Sequence, residues 1–162
     1  MTSRTDVTLR PAAPEDRAAI LGLLRQSDLP LEGAADGTAE FLVAERNGRI
    51  VSSGALERYG PHALLRSVAV APDERGKGLG SALVEALLAA ARREGIETLS
   101  LLTMTAESYF QRFGFKAIER RQVPEALAQS KEFRGACPDS AVAMRLDLTP
   151  EEGPGISSRP VS

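Results

Sequence analysis

The chain has 162 residues, 43% of them hydrophobic, enough to bury the core of one domain; with aromatics at 4% and no Trp, that core must be built from Leu, Val, Ile and Ala. The net charge of −2, with both signs interspersed, excludes the concentrated basic face that nucleic acid or an anionic membrane would require, and the largest basic cluster is only Arg120-Arg121. One cysteine, Cys137, and one histidine, His62, exclude an intramolecular disulfide, argue against a His/Cys metal site, and fit a reducing, cytoplasmic setting.

The polar stretch Met1 to Leu9 lacks the apolar core of a signal peptide, and no apolar run nears the ~20 residues of a membrane span. Val7 to Arg10 reads as a first strand. Pro14-Glu15-Asp16 opens a helix, because Pro is preset for the first turn and acidic groups suit its positive end. Ile20, Leu21, Leu23 and Leu24 give its apolar face, and it fades near Ser27 to Pro30. The Gly-rich stretch Leu31 to Ala39 reads as a loop or a poorly formed second helix.

Phe41 to Ala44 and Ile50 to Arg58 are strands joined at Asn47-Gly48, two residues that tolerate positive φ. Tyr59 to His62 turns the chain into a third strand, Leu64 to Val70, which ends at Pro72-Asp73-Glu74. Gly80 to Arg93 carries a helical stripe of Leu79, Leu83, Leu87 and Ala90, and Gly95 stops it. Thr98 to Leu102 is a buried strand, Ala106 to Phe113 a short helix closed by Gly114, and Phe115 to Ile118 and Ala141 to Leu148 the last strands. Pro124 to Ala128 makes a helical turn between them. The order β-α-(α)-β-β-β-α-β-α-β-β implies an α/β (α+β) fold: one mixed, mostly antiparallel sheet flanked by helices. Residues 1–149 form that domain, and the Pro-, Gly- and Ser-rich 150–162 reads as a disordered tail.

The chemistry is concentrated in Ser67-Val68-Ala69-Val70-Ala71-Pro72-Asp73-Glu74-Arg75-Gly76-Lys77-Gly78-Leu79-Gly80-Ser81. Three alternating glycines follow a strand and precede a strong helix. Such glycines allow a ligand close to the backbone, and the helix N-terminus adds open N–H donors and partial positive charge. Together they form an anion site suited to a pyrophosphate, with Arg75 and Lys77 adding positive potential. The spacing G-x-G-x-G is neither the dinucleotide fingerprint G-x-G-x-x-G nor the P-loop G-x-x-x-x-G-K-[ST].

Arg75-Gly76-Lys77-Gly78-Leu79-Gly80 resembles the [RQ]-x-x-G-x-[GA] signature of the GNAT acetyltransferases. Val68-Ala69-Val70 resembles the family's preceding strand, and Phe110-Gln111-Arg112-Phe113-Gly114-Phe115 is similar to its Y-E-K-L-G-F segment. The resemblance implies a GNAT fold and an acetyl-CoA-dependent N-acetyltransferase. Acetyl-CoA would be held by Val68, Ala69 and Val70 on the strand and by Arg75, Gly76, Lys77, Gly78, Leu79, Gly80 and Ser81 at the loop, without a metal; the family also makes a homodimer a possible assembly. The family's Tyr that protonates the departing thiolate falls at Phe110 here, which has no proton to give. Its neighbour Tyr109 is the candidate general acid, although a one-residue step on a helix turns a side chain by about 100°.

Leu101-Leu102-Thr103-Met104-Thr105-Ala106-Glu107 is similar to segments of N-acetylglutamate synthases and of arsenic-resistance-associated acetyltransferases related to phosphinothricin acetyltransferases. Gly54 to Gly60, Ala63 to Ser67 and Cys137-Pro138-Asp139-Ser140-Ala141 resemble the second subgroup. The implied acceptor is the amine of a small amino-acid-like molecule. With the hairpin centred between Pro61 and His62, Glu57 lies opposite Arg66 on one sheet face. The carboxylate would orient the ammonium or take its proton through water, and the guanidinium would grip the carboxylate. An ordinary cross-strand ion pair is the other reading. Ser67 and Thr103 are further substrate-contact candidates, with Thr103 and Thr105 also able to cap the helix at Ala106; Arg120 and Lys131 are additional basic candidates for an acidic substrate. A backbone N–H at Val68 or a neighbour would stabilise the oxyanion of direct attack. Three rival readings stand beside this one: a protein acetyltransferase, a glutamate acetyltransferase, and a non-catalytic acyl-CoA sensor.

Overall fold

The computed structural model describes residues 7–27, 29, 31, 39–104, 106–128 and 141–148. Seven strands form one sheet: β1 (Val7–Pro11), β2 (Glu40–Arg46), β3 (Arg49–Tyr59), β4 (His62–Val70), β5 (Thr98–Thr103), β6 (Lys116–Ile118) and β7 (Val142–Asp147), in the order β1-β2-β3-β4-β5-β7-β6. Every neighbouring pair is antiparallel except β4 and β5. The helices are α1 (Arg17–Gln26), α2 (Leu79–Arg93), α3 (Glu107–Gln111) and α4 (Glu125–Ala128). Pro14 opens a 3-10 turn over Pro14–Asp16 before α1 begins. There the Asp16 carboxylate accepts the Ala13 N–H at 2.7 Å and an Arg10 N–H at 2.8 Å.

Residues alternate between two sheet faces, and each face has its own core. On one, Leu56, Leu65, Leu99 and Leu101 pack under Val84, Leu87 and Leu88 of α2 and Phe110 of α3. On the other, Val43, Val51 and Ala69 pack under Ile20, Leu23 and Leu24 of α1, while Leu64, Leu102 and Ala143 meet Leu127 of α4. Of the stripe read from the sequence, Leu79, Leu83 and Leu87 are buried along α2, as burial of one helical face requires, while Ala90 is half-buried.

The two hairpins show how turn chemistry sets register. Asn47 (φ 53°) and Gly48 (φ 80°) join β2 and β3, so that Arg46 faces Arg49. Between β3 and β4 the loop residues are Gly60 and Pro61, closed by the pair Tyr59 and His62. Gly60 has φ 67°, the positive value that a two-residue hairpin asks of its first position, followed by Pro with its fixed negative φ. The turn centre therefore lies one residue earlier than the sequence suggested. Glu57 pairs with Leu64, and Arg66 with Ala55, rather than with each other. The resulting slip is two residues, one full side-chain period, so both side chains stay on the expected face.

Of the remaining expectations, the loop at 32–38, Thr105, Lys131, Cys137 to Ser140 and the tail 150–162 lie outside the described residues. No described helix is long and apolar enough to cross a membrane.

Candidate active site

The loop between β4 and α2 begins with a 3-10 turn, Pro72–Glu74, tied to the β2–β3 hairpin by two ion pairs. Arg49 donates two hydrogen bonds to Asp73, at 3.0 and 2.9 Å, and Arg46 lies 3.3 Å from the buried Glu74 carboxylate. The Arg49 guanidinium holds the Asp73 carboxyl below the usual carboxylate range. Beyond this anchor Gly76 (φ 83°) and Gly78 (φ 82°) take left-handed backbone, and Gly78 caps α2 with no side-chain hydrogen bond. The first N–H groups of α2 are thus left to a ligand. A Cβ on Gly76 or Gly78 would meet nothing within 4 Å, so backbone conformation, not crowding, asks for glycine at both.

Arg75 turns back onto the sheet, donating from Nε to the Val70 carbonyl at 3.1 Å and from Nη2 to Ser27 Oγ at 3.4 Å. Lys77 stands at the surface, 3.5 Å from Glu74, and does not line the cleft.

Strands β4 and β5 pair over only three positions, His62 with Thr98, Ala63 with Leu99 and Leu64 with Ser100. Beyond these the two strands diverge. At the same point β4 carries a bulge: Ser67 and Val68 together face Gly54 of β3, and Ser67 has φ 61°. Ser53 Oγ donates to the Ser67 carbonyl at 3.1 Å and Ser52 Oγ to the Ala69 carbonyl at 2.9 Å. Gly54 is glycine because a Cβ there would lie 2.8 Å from Leu87 of α2.

The end of β4, the loop and the starts of α2 and α3 line a cleft of about 680 Å³. Of the residues singled out in the sequence, Val68, Ala69, Val70, Arg75, Gly76, Gly78, Leu79, Gly80, Ser81 and Tyr109 line it. Tyr109 is aimed at the helix start: its hydroxyl lies 3.2 Å from Ser81 Oγ, and a Cβ on Gly80 would sit 3.3 Å from it. Its ring meets Phe110 and Phe113 edge to face and carries the Arg112 guanidinium 5.1 Å from its centroid. The one-residue step from Phe110 therefore does not turn Tyr109 away, because α3 lies at the cleft rim and presents both rings to it.

Glu57 and Arg66 do not line this cleft. Diagonal neighbours on the opposite face of the sheet, they form a buried ion pair, Arg66 Nη1 to Glu57 Oε1 at 3.3 Å, with side-chain exposures of 0% and 6%. Arg66 Nε also reaches Ser67 Oγ at 3.4 Å. Ser100 Oγ is buried on that face without a hydrogen-bond partner. Thr103 Oγ1 accepts the Ala106 N–H at 3.0 Å, which ties the end of β5 to the residue just ahead of α3 without capping the helix itself. Arg120 donates to the Ala141 carbonyl at 3.2 Å.

Sequence reasoning missed Ser27, Glu74, Ala106 and Arg112 in the cleft wall. Arg112 had a signal, being three residues after Tyr109 on a helix. Ser27 had none, since it arrives from α1 through the fold.

Open helix N–H donors, two left-handed glycines and a cleft running past the end of β4 that β5 does not pair suit a pyrophosphate with a long arm, as in acetyl-CoA. Residues 37–117 match the acetyltransferase (GNAT) domain family. Over 120 residues the chain is 32% identical to an uncharacterized N-acetyltransferase of Chlorobaculum tepidum, covering 72% of this chain and 77% of that protein. The chain belongs to the GNAT acetyltransferase family. It is an enzyme, an acetyl-CoA-dependent N-acetyltransferase. This acetyltransferase is also 29% identical over 136 residues to an amino-acid acetyltransferase of Pasteurella multocida, covering 78% of this chain but only 31% of that longer one. Among solved structures, N-acetylglutamate synthase from Neisseria gonorrhoeae, complexed with coenzyme A and N-acetyl-glutamate, shares the fold at TM-score 0.76 and 22% identity, over 88% of this chain and 35% of that one. Rv2747 from Mycobacterium tuberculosis, in complex with CoA and NLQ, matches at TM-score 0.72 and 27% identity, over 88% of this chain and 99% of that one. Among the described residues no group of three or more His, Cys, Asp or Glu side chains could hold a metal.

Proposed function

We propose that this acetyltransferase acetylates the amine of a free, anionic amino acid, with phosphinothricin and arsenical amino acids as candidate acceptors and glutamate as the alternative. The observation that carries the reading is the buried Glu57–Arg66 pair. Helices α2 and α3, with the loop glycines, occupy one face of the sheet, and the pair lies on the other, beside the gap where β4 and β5 part. An acceptor entering from that face would meet Glu57 and Arg66 on its way to the thioester.

A zwitterion offers these two side chains the same charges they now offer each other. Exchange keeps both buried charges paired: the acceptor carboxylate on the Arg66 fork, its ammonium beside Glu57. A monoamine or a peptide N-terminus lacks the carboxylate and leaves Arg66 without that exchange. Ser100 Oγ is a further polar group on this face. Relatives that are themselves amino-acid acetyltransferases, and Rv2747 with its bound CoA and NLQ, support the reading.

Bound acetyl-CoA supplies an activated acyl carbon. The protein's part is to hold two molecules in register and to move protons. Gly76, Gly78, Gly80 and Ser81 would take the pyrophosphate, Val68 to Val70 the pantetheine arm, and a backbone N–H at the Ser67–Val68 bulge the acyl oxygen. Glu57 would receive the ammonium proton, directly or through water, and the Tyr109 hydroxyl would return one to the departing sulfur.

The test is release of CoA across phosphinothricin, an arsenical amino acid, glutamate, neutral amino acids, polyamines and short peptides, with wild type and the Glu57→Gln/Arg66→Met double variant. Turnover confined to anionic amino acids, and lost in the folded double variant, is expected. Turnover with peptides alone would refute the reading in favour of a protein acetylase. Binding of acetyl-CoA with no turnover on any amine would favour a sensor.

A further inference from the structure

Ser67 is a non-glycine residue held at φ 61° inside a strand, at the first bulge position where glycine is usual. Such a conformation persists only where surrounding contacts over-determine it. The contacts here are polar and come from β3. Ser53, fully buried, spends its hydroxyl on the Ser67 carbonyl at 3.1 Å. That carbonyl is thereby fixed toward β3 by a side chain at the point where the regular ladder is interrupted. Fixing it also fixes the plane of the next peptide group, whose N–H belongs to Val68, because carbonyl and N–H of one peptide unit point in opposite directions.

We propose that Ser53 is a positioning residue for acetyl transfer: its hydroxyl clasps the Ser67 carbonyl and so aims the Val68 N–H into the gap between β4 and β5, where the acyl oxygen is bound. The proposal rests on the reading of the bulge as the acyl-oxygen site. Ser53 itself touches neither the acyl group nor the acceptor. It acts through one peptide plane, and Val68 lines the cleft on the far side of that plane.

Acetyl-CoA and CoA differ only in the acetyl group, so the ratio of their affinities isolates the contact to that group. The ratio is measured by calorimetric titration without acceptor, on wild type, Ser53→Ala, Ser52→Ala and Ser67→Val. Ser52 is the matched control: equally buried on the same strand, it donates to the carbonyl of Ala69, past the bulge. A β-branched residue at 67 opposes the left-handed backbone and tests the bulge itself.

Ser53→Ala is expected to weaken acetyl-CoA relative to CoA by roughly threefold to tenfold, the worth of one ordinary hydrogen bond, with Ser52→Ala leaving the ratio at the wild-type value. Ser67→Val lowers the ratio at least as far. If Ser67→Val lowers it and Ser53→Ala does not, the clasp is refuted while the bulge reading stands. If Ser52→Ala lowers it as much as Ser53→Ala, the serines act only on general stability and the proposal fails. If none of the three changes the ratio, the bulge is not the acyl-oxygen site and both ideas fall.

Discussion

Removing one member of the Glu57–Arg66 pair breaks an ion pair in a site with 0% and 6% side-chain exposure. Breaking a pair at that depth costs about 3–5 kcal/mol, whereas an exposed pair is worth about 0–1 kcal/mol. For a domain of this size each kcal/mol moves the melting temperature by about 2–4 °C, so Arg66→Met or Glu57→Gln alone should lower it by roughly 6–20 °C. The double variant restores neutrality and fills the same space, and such replacements of buried pairs are often neutral or better. It should therefore melt within about 4 °C of wild type. Urea denaturation of all four proteins closes a double-mutant cycle, and the expected coupling exceeds about 2 kcal/mol. Singles that each lose under about 1 kcal/mol, with losses that simply add in the double, would refute the argument: the charges would then be hydrated as at a surface. The same samples separate stability from chemistry, since the double variant is folded but has nothing with which to exchange charges with a zwitterion.

Three further outcomes follow from the geometry. Gly78→Ala forces a Cβ into φ 82° at about 1–2 kcal/mol, so the melting-temperature rise on adding CoA should shrink while the far-UV spectrum is unchanged; an undiminished rise would mean that the loop does not hold the pyrophosphate. Tyr109→Phe keeps the edge-to-face stack and loses the hydroxyl beside Ser81; kcat should fall roughly 100-fold with the KM for acetyl-CoA little changed, and an unaltered kcat would assign the proton to water. The Arg10 guanidinium, with help from the Ala13 N–H, holds the Asp16 carboxyl below the usual carboxylate range. A lowered folded value stabilises the protein above the unfolded value near pH 4, and this contribution disappears as pH falls through the folded value. Asp16→Asn should flatten the acid limb of the stability curve, and an unchanged limb would remove Asp16 as its source.

The sequence made the sheet, its two long helices and the anion loop legible because each has a strong local signal. Leu83 and Leu87 recur at helical spacing, Asn47-Gly48 can make one kind of turn, and Gly76 and Gly78 sit between a strand and a helix, with Gly80 in that helix's first turn. The β3–β4 register was off by one side-chain period because Gly60-Pro61-His62 offers two turn centres, and the structure places the positive φ at Gly60, in the earlier one. The bulge was invisible for a different reason: Ser67 is a residue that seldom adopts left-handed backbone, and its conformation is imposed by Ser53 and Gly54, fourteen and thirteen residues away. The orientation of Tyr109 depends on where α3 sits on the sheet, which no helical wheel reveals. Thr103 does not cap α3: its hydroxyl, at the end of β5, reaches only the Ala106 N–H just ahead of the helix.

Strands β4 and β5 are joined by three residue pairs, and every other seam in the sheet but the short one at β6 runs at least five. Mechanically the sheet is two leaves on a short hinge, with β1 to β4 in one leaf and β5, β7 and β6 in the other. A co-substrate bound along the free edge of β4 would stiffen that hinge as well as take part in the reaction. Its arrival should be felt across the fold: amides of Leu65 to Val70 and of Leu101 to Thr103 should exchange with solvent more slowly when CoA is present, while those of β1 and β2, well inside one leaf, keep their rates. An enzyme built this way would loosen each time it releases CoA, with its most pliable moment between turnovers.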